Sequence, residues 1–282
     1  MDKQELIKMA SSFVEHSEDN YIAKQIAIHE NVVGMKIYEE PILAFGSPDD
    51  QYFTLFKEKS AIGNHFLHPK EWLPQAKTVI SFFLPFSKAV KKGNAQDMLW
   101  PSEEWLHGRI EGQTFLNKLC LHLQSELINT GYPSLIPSLE ERFWSKAGFN
   151  SNSPHPEVSF TSTWSERHAA FVCGLGTFGL SKGLITSKGI AGRFGSIITS
   201  LYLPPDKREY EEIYEYCSMC GACIKKCPVN AISIEKGKNH IICSKFLDQT
   251  AEKYKPRYGC GKCQVGVPCE SRIPNRCLKT LQ

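Results

Sequence analysis

The 282 residues predict an α/β (α+β) fold in two parts, an α/β domain over residues 1–205 and a small, metal-stapled domain over 206–282. Three observations carry that expectation. Helix-like and strand-like runs alternate up to about residue 205, Leu203-Pro204-Pro205-Asp206 breaks the pattern, and nine of the eleven cysteines fall between Cys217 and Cys277. A composition of 41% hydrophobic and 22% charged residues is that of a globular chain and excludes a disordered or fibrous one. The second part has too few apolar residues to build a core alone, so bound metal is expected to supply part of its fold.

Within the first part, Gln4–His16 carries helical spacing, with Leu6, Ile7, Met9, Ala10, Phe13 and Val14 on one face. Phe115, Leu119, Leu123 and Leu127 recur at i+4 and predict a longer helix ending near Gly131. Thr78–Leu84 and Ser196–Leu203 are β-branched or aromatic runs suited to buried strands, and Lys182–Thr186 suits another. The apolar run around Thr78–Pro85 is far shorter than the ~20 residues of a bilayer crossing, and the N-terminus has no export-signal core. A cytoplasmic protein without membrane contact is expected. Net charge is +3, with 14 Lys/Arg against 9 Asp/Glu from Asp206 onward, too weak an excess to argue for nucleic acid.

Cys217, Cys220, Cys223, Cys227 and Pro228 form the run C-x2-C-x2-C-x3-C-P, which is bacterial ferredoxin spacing. Its two-residue gaps let three thiolates converge on one 4Fe-4S cluster, while the fourth faces a second cluster. Zinc commonly takes two cysteine pairs separated by a long loop, so four cysteines in eleven residues point to iron–sulfur ligation. The second cluster needs three further thiolates, and Cys243, Cys260, Cys263, Cys269 and Cys277 are available. The expected division is Cys217, Cys220, Cys223 and Cys269 for one cluster and Cys227, Cys243, Cys260 and Cys263 for the other. Cys277 stays open as the alternative to Cys269. Electron transfer is the expected task of this tail.

Upstream, Gly174, Gly176 and Gly179 spell G-x-G-x-x-G, but a helical segment precedes them and Phe194 and Gly195 stand where a ribose-binding acid belongs. A dinucleotide site is therefore not expected; a helix stopped at Gly174, then a loop allowing close approach of a flat or bulky group, fits better. The stretch Glu166–Thr186, continuing through Gly189–Thr199, resembles the epoxyqueuosine reductases and, more distantly, the reductive dehalogenases. The segment from Pro74 to Ser81, the Cys217–Cys227 run, Cys243 and the Cys260/Cys263 pair follow in that family's order.

The resemblance implies a nitroreductase-like α/β domain that binds cobalamin base-off, followed by a ferredoxin-like domain whose clusters reduce it. By position it places Gly174, Gly176, Gly179, Leu184, Arg193 and Gly195 near the corrin. It also implies a flavodoxin or ferredoxin as electron donor. Three departures bear on the substrate: Ser159-Phe160-Thr161-Ser162 holds no acid where the family has an aspartate proton donor, the chain stops at Gln282 without the family's helical-repeat extension, and Cys263 to Cys269 is spaced by five residues. An unidentified small-molecule substrate is accordingly expected, not tRNA. The alternatives are an electron-transfer or reductive-activation partner of a corrinoid protein or other enzyme, and a true tRNA epoxyqueuosine reductase. No catalytic residue is fixed. His168 is the candidate proton donor, Trp144, Phe160 and Trp164 are candidates to roof a pocket, and His107-Gly108-Arg109 could reach a phosphate or carboxylate.

Overall fold

The computed structural model describes residues 1–147 and 159–275. Helix α1 (Lys3–His16) starts at a capping box, in which the Asp2 side chain accepts from the Glu5 amide and Glu5 accepts from the Asp2 amide. Its buried stripe is Leu6, Ala10 and Val14. Strand β1 (Ile42–Gly46), helices α2 (Gln51–Leu55) and α3 (Pro69–Trp72) and strand β2 (Thr78–Pro85) follow. Next come α4 (Lys88–Gln96), α5 (Glu103–Asn129), β3 (Ser134–Leu135), β4 (Ser145–Lys146), β5 (Thr161–Ser162), α6 (Glu166–Cys173), β6 (Gly176–Phe178), β7 (Leu184–Thr186) and β8 (Gly192–Thr199).

The central sheet has the order β1-β2-β8-β3, with every neighbouring pair antiparallel. Strand β2 is buried along its whole length because both faces are covered. Ile80, Phe82 and Leu84 turn one way, packing with Phe115, Leu119 and Leu123 of α5 and with Leu6 of α1. Val79 and Phe83 turn the other way, toward Ala169, Ala170 and Val172 of α6 and toward Phe53 and Trp164. The period-two alternation of a strand thus splits one apolar run between two cores.

Close contacts at glycines shape both long elements. Helix α5 begins at Glu103, where the Ser102 side chain accepts from the Trp105 amide, and Gly108 and Gly112 let Phe86 and Tyr38 lie against its backbone; a Cβ at Gly112 would stand 2.6 Å from the Tyr38 oxygen. Strand β8 runs Gly192–Thr199 instead of Ser196–Leu203. Gly192 and Gly195 carry no strand signal, yet they are where the β2 rings of Phe83 and Phe82 press closest, so packing overrides propensity.

After residue 205 the chain forms α7 (Ala222–Lys225), the ribbon β9 (Ile232–Ser233) and β10 (Gly237–Lys238), helix α8 (His240–Tyr254) and a 3-10 turn at Lys262–Gln264. This tail is knit into the first part. Arg257 pairs with Glu111 of α5, whose other partner is His107. The Ile190 and Ala191 amides donate to the carbonyls of Cys269 and Glu270. Among the described residues no helix is long and apolar enough to cross a membrane.

Leu123 is fully buried between α5 and the sheet. Leu123→Ala is expected to cost about 2–5 kcal/mol, read as a lower denaturation midpoint of the intact protein. A loss below about 1 kcal/mol would contradict this packing.

Candidate functional site

The tail's cysteines surround two separate cavities. The first is lined by Cys217, Cys220, Cys223 and Cys269, together with Leu180, Ile185, Ile190 and Val267. The second is lined by Cys227, Cys243, Cys260 and Cys263, together with Trp105, Arg109, Lys238 and Phe246. Cys277 lies outside the described residues. Cys120 and Cys173 are buried in the two cores and join neither ring.

The local backbone explains how such short sequences enclose a cavity. In Cys220-Gly221-Ala222-Cys223 and in Cys260-Gly261-Lys262-Cys263, the glycine after the first cysteine is left-handed, at φ 71° and φ 65°, and a short helical turn follows. This conformation is costly for residues with a Cβ and turns successive amides toward one side. At Gly261 there is a second constraint, since a Cβ would sit 1.9 Å from the Trp105 ring of α5. The Cys227 sulfur already accepts from the Ala231 amide at 3.2 Å.

Burial, and then the neighbouring thiols, drive the thiol acidities in one direction. Burial pushes Cys223 up to about 12, with Cys263, Cys217 and Cys220 adding to it. Cys269 is likewise pushed up to about 12 by burial and by Cys217, Cys223 and Cys220, and Cys260 to about 12 by burial, with Cys263 and Cys243 adding to it. Several thiolates gathered in so small a space are unfavourable unless a cation among them offsets their charge. The donor set therefore suits a cationic iron–sulfur core. Cys263 acts on Cys223 across the two rings, so the cavities are neighbours. Among the described residues no group of three or more His, Cys, Asp or Glu is placed to hold one metal ion; the thiols ring a space instead.

A group of arginines adjoins the second cavity: Arg109 lines it, and Arg193 lies near both Arg109 and Arg167. Desolvation among protein atoms lowers the Arg167 pKa, although its side chain is open to solvent. One of its guanidinium nitrogens donates to the Lys182 carbonyl at 2.7 Å. Arg193 donates to the Gln113 side chain. Arg109 stacks on Tyr258 at 4.4 Å and its buried Nε has no partner. None of these three arginines is paired with a described carboxylate. Phe160 stacks on His240 at 5.3 Å.

Other expected positions are closed by the chain itself. Leu184 is 0% exposed in the core, so it meets no ligand. A Cβ at Gly176 would collide with the Ile185 carbonyl at 1.9 Å, and one at Gly195 with the Phe82 ring at 2.7 Å, so these glycines serve strand packing. Gly174 is the left-handed cap of α6 at φ 99°, beside Lys207 and Arg208. Gly179 borders the first thiol cavity, and Arg193 alone of the six lies within the arginine group. Trp164 is a core residue, stacked on Phe53 and Phe66 with its indole N–H donating to Ser196, and Trp144 lies against His65. His107 is buried, accepting from the Ile28 amide and paired with Glu111, so it reaches no external anion.

His168 contacts the Ser165 hydroxyl at 2.7 Å and packs against Phe56 and Phe178. Burial, with Arg167 in support, lowers it to about 4, so at neutral pH it is an uncharged imidazole and a poor acid. Sequence reading missed Glu166. Neither of its carboxylate oxygens has a hydrogen-bond partner of good geometry, and burial raises it to about 7, opposed by the nearby Ser196 and Trp164. A lone helical glutamate gives no sequence signal of burial.

The comparisons agree with this geometry. A 4Fe-4S binding domain matches residues 210–233. Epoxyqueuosine reductase from Streptococcus thermophilus superposes with a TM-score of 0.52 at 18% identity, covering 97% of this chain and 67% of that one. The chain has the epoxyqueuosine reductase fold. The Bacillus subtilis epoxyqueuosine reductase superposes with a TM-score of 0.51 at 16% identity, over 97% and 69% of the two chains. A tetrachloroethene reductive dehalogenase of Desulfitobacterium hafniense is 41% identical over 68 residues, 24% of this chain, and the match spans 12% of the dehalogenase. Within the epoxyqueuosine reductase fold shared here, the 4Fe-4S family description covers Cys217, Cys220, Cys223 and Cys227 of the tail.

Two outcomes follow from this geometry. Gly261→Ala is expected to displace the Cys260–Cys263 turn from Trp105 and halve the iron retained by anaerobically purified protein; full retention would contradict the close approach. For Glu166, the folded state holds a proton that the unfolded chain releases above about 4.5, so it costs stability as pH rises from there toward 7. Glu166→Gln is therefore expected to raise the thermal midpoint, and by more at pH 8 than at pH 6. An equal gain at both pH values would show that the carboxyl is not held protonated.

Proposed function

We propose that the chain is an iron–sulfur oxidoreductase that carries low-potential electrons through two 4Fe-4S clusters to a corrinoid bound in a cleft among Arg109, Arg167 and Arg193, for reduction of a small-molecule substrate. Cys217, Cys220, Cys223 and Cys269 hold one cluster, and Cys227, Cys243, Cys260 and Cys263 hold the other. The observation that carries this reading is the pair of adjoining four-thiol cavities, the second bordered by Arg109 of the arginine group. If bound, a corrinoid would supply low-potential redox chemistry at its metal, and Arg109, Arg167 and Arg193 would hold its polar rim.

The cleft suits such a group in its unspent polar atoms. The buried, unpartnered Nε of Arg109, the solvent-open guanidinium of Arg167 and that of Arg193 nearby match a ligand rimmed with amides and bearing a phosphate. Gln113 and the Lys182 carbonyl fix two of these guanidinium groups. The rings of Phe160 and His240 supply an apolar wall. Electrons enter from a flavodoxin- or ferredoxin-type donor on the exposed side of the first cavity, where Cys220 and Met219 reach the surface. His168, uncharged, orients Ser165 at the start of α6, and protons come from water or from a group such as Glu166.

The filled space beside Gly176 and Gly195 favours a second reading, in which the corrinoid belongs to a partner protein and this chain only delivers electrons. Anaerobic titration of the reduced protein with hydroxocobalamin separates the two. The first reading expects saturable retention of about one corrinoid per chain, with changed corrin absorption bands, and a tenfold or greater weakening in Arg167→Met or Arg193→Met. No retention and no spectral change, with intact clusters, would overturn it in favour of the second.

A further inference from the structure

The two thiol cavities differ in charge. Besides its four cysteines, the first is lined by Gly179, Leu180, Ser181, Ile185, Ile190, Val267 and other uncharged residues, with no lysine or arginine. The second is lined by Arg109 and Lys238. Behind it lies Lys262, between Cys260 and Cys263, 1% exposed and with its ammonium donating to the Asn94 carbonyl at 2.8 Å and the Asn94 side chain at 3.3 Å. No described carboxylate pairs with Arg109, Lys238 or Lys262.

Reducing a cluster adds one negative charge to it, and a nearby unneutralised cation in a low-dielectric setting stabilises that form. Exposure of Cys220 works in the opposite direction by letting water stabilise the reduced first cluster. That effect reaches one thiol of four beside an apolar lining, whereas two cations line the second cavity and a third is buried behind it. The cations win.

We infer that the cluster held by Cys227, Cys243, Cys260 and Cys263 has the higher reduction potential, set by Arg109, Lys238 and Lys262, so that electrons run from the exposed first cavity to the second and rest beside the cleft. The transfer is a one-electron step in which the first cluster is oxidised as the second is reduced, with no proton moved and with the external donor restoring the first. This inference rests on the two-cluster reading above.

The test is an anaerobic dithionite titration followed by electron paramagnetic resonance, with Cys269→Ala and Cys243→Ala used to assign the two signals. The signal lost in Cys243→Ala is expected to appear first. In Lys238→Met and in Arg109→Met that signal alone is expected to move to lower potential by a tenfold or greater change in its equilibrium, 59 mV for one electron, while the surface control Lys225→Met moves neither. Iron and sulfide content equal to wild type shows that each variant is loaded. If both clusters form but the Cys269-dependent signal appears first, or if neither Lys238→Met nor Arg109→Met moves the Cys243-dependent signal, the inference fails. If wild type holds only one cluster, the two-cluster reading fails instead.

Discussion

Charge among gathered thiols is the constraint on which the rest of this structure depends. Eight cysteines from a tail of modest size stand in two rings, and burial with the neighbouring sulfurs raises the cost of ionising Cys223, Cys269 and Cys260. Empty, such rings would contribute little cohesion. Filled by a cationic iron–sulfur core, the same sulfurs become thiolates, and the repulsion turns into ligation that holds the tail together. The small apolar cluster of Ile185, Ile190 and Val267 beside the first ring is too limited to do this alone.

The first part of the chain then acts as the wall against which the second cavity is built. Trp105 of α5 closes on Gly261, and Asn94 of α4 donates to the Cys260 carbonyl while accepting from Lys262. Arg257 ties the tail to Glu111. The contacts of Trp105 and Asn94 reach from α5 and α4 to one cysteine turn. A buried lysine is costly in the absence of nearby negative charge, and the adjoining thiolates of a loaded cavity supply it. Structure and electrostatics thus favour the same occupied state.

Much of this was legible in the sequence where the determinants are local. The Cys217–Cys227 spacing is a short-range geometric requirement, and α1 and β2 follow from apolar periodicity and end within a residue or so of expectation. The left-handed Gly174 stopped α6 as its position implied. What stayed hidden is long-range. Gly192 and Gly195 look like loop residues until β2 rings pack on them, and Gly176, which reads as room for a ligand, is consumed by Ile185. Arg109 was noticed without a partner to explain it, and Lys238 and Lys262 carry no motif. Their meaning arises only when folding sets them around one thiol ring and not the other.

The most direct test of the central claim is iron and acid-labile sulfide per chain in protein purified and kept without oxygen. Two filled rings require about eight of each, four per cubane. About four of each, or zinc in place of iron, would contradict it.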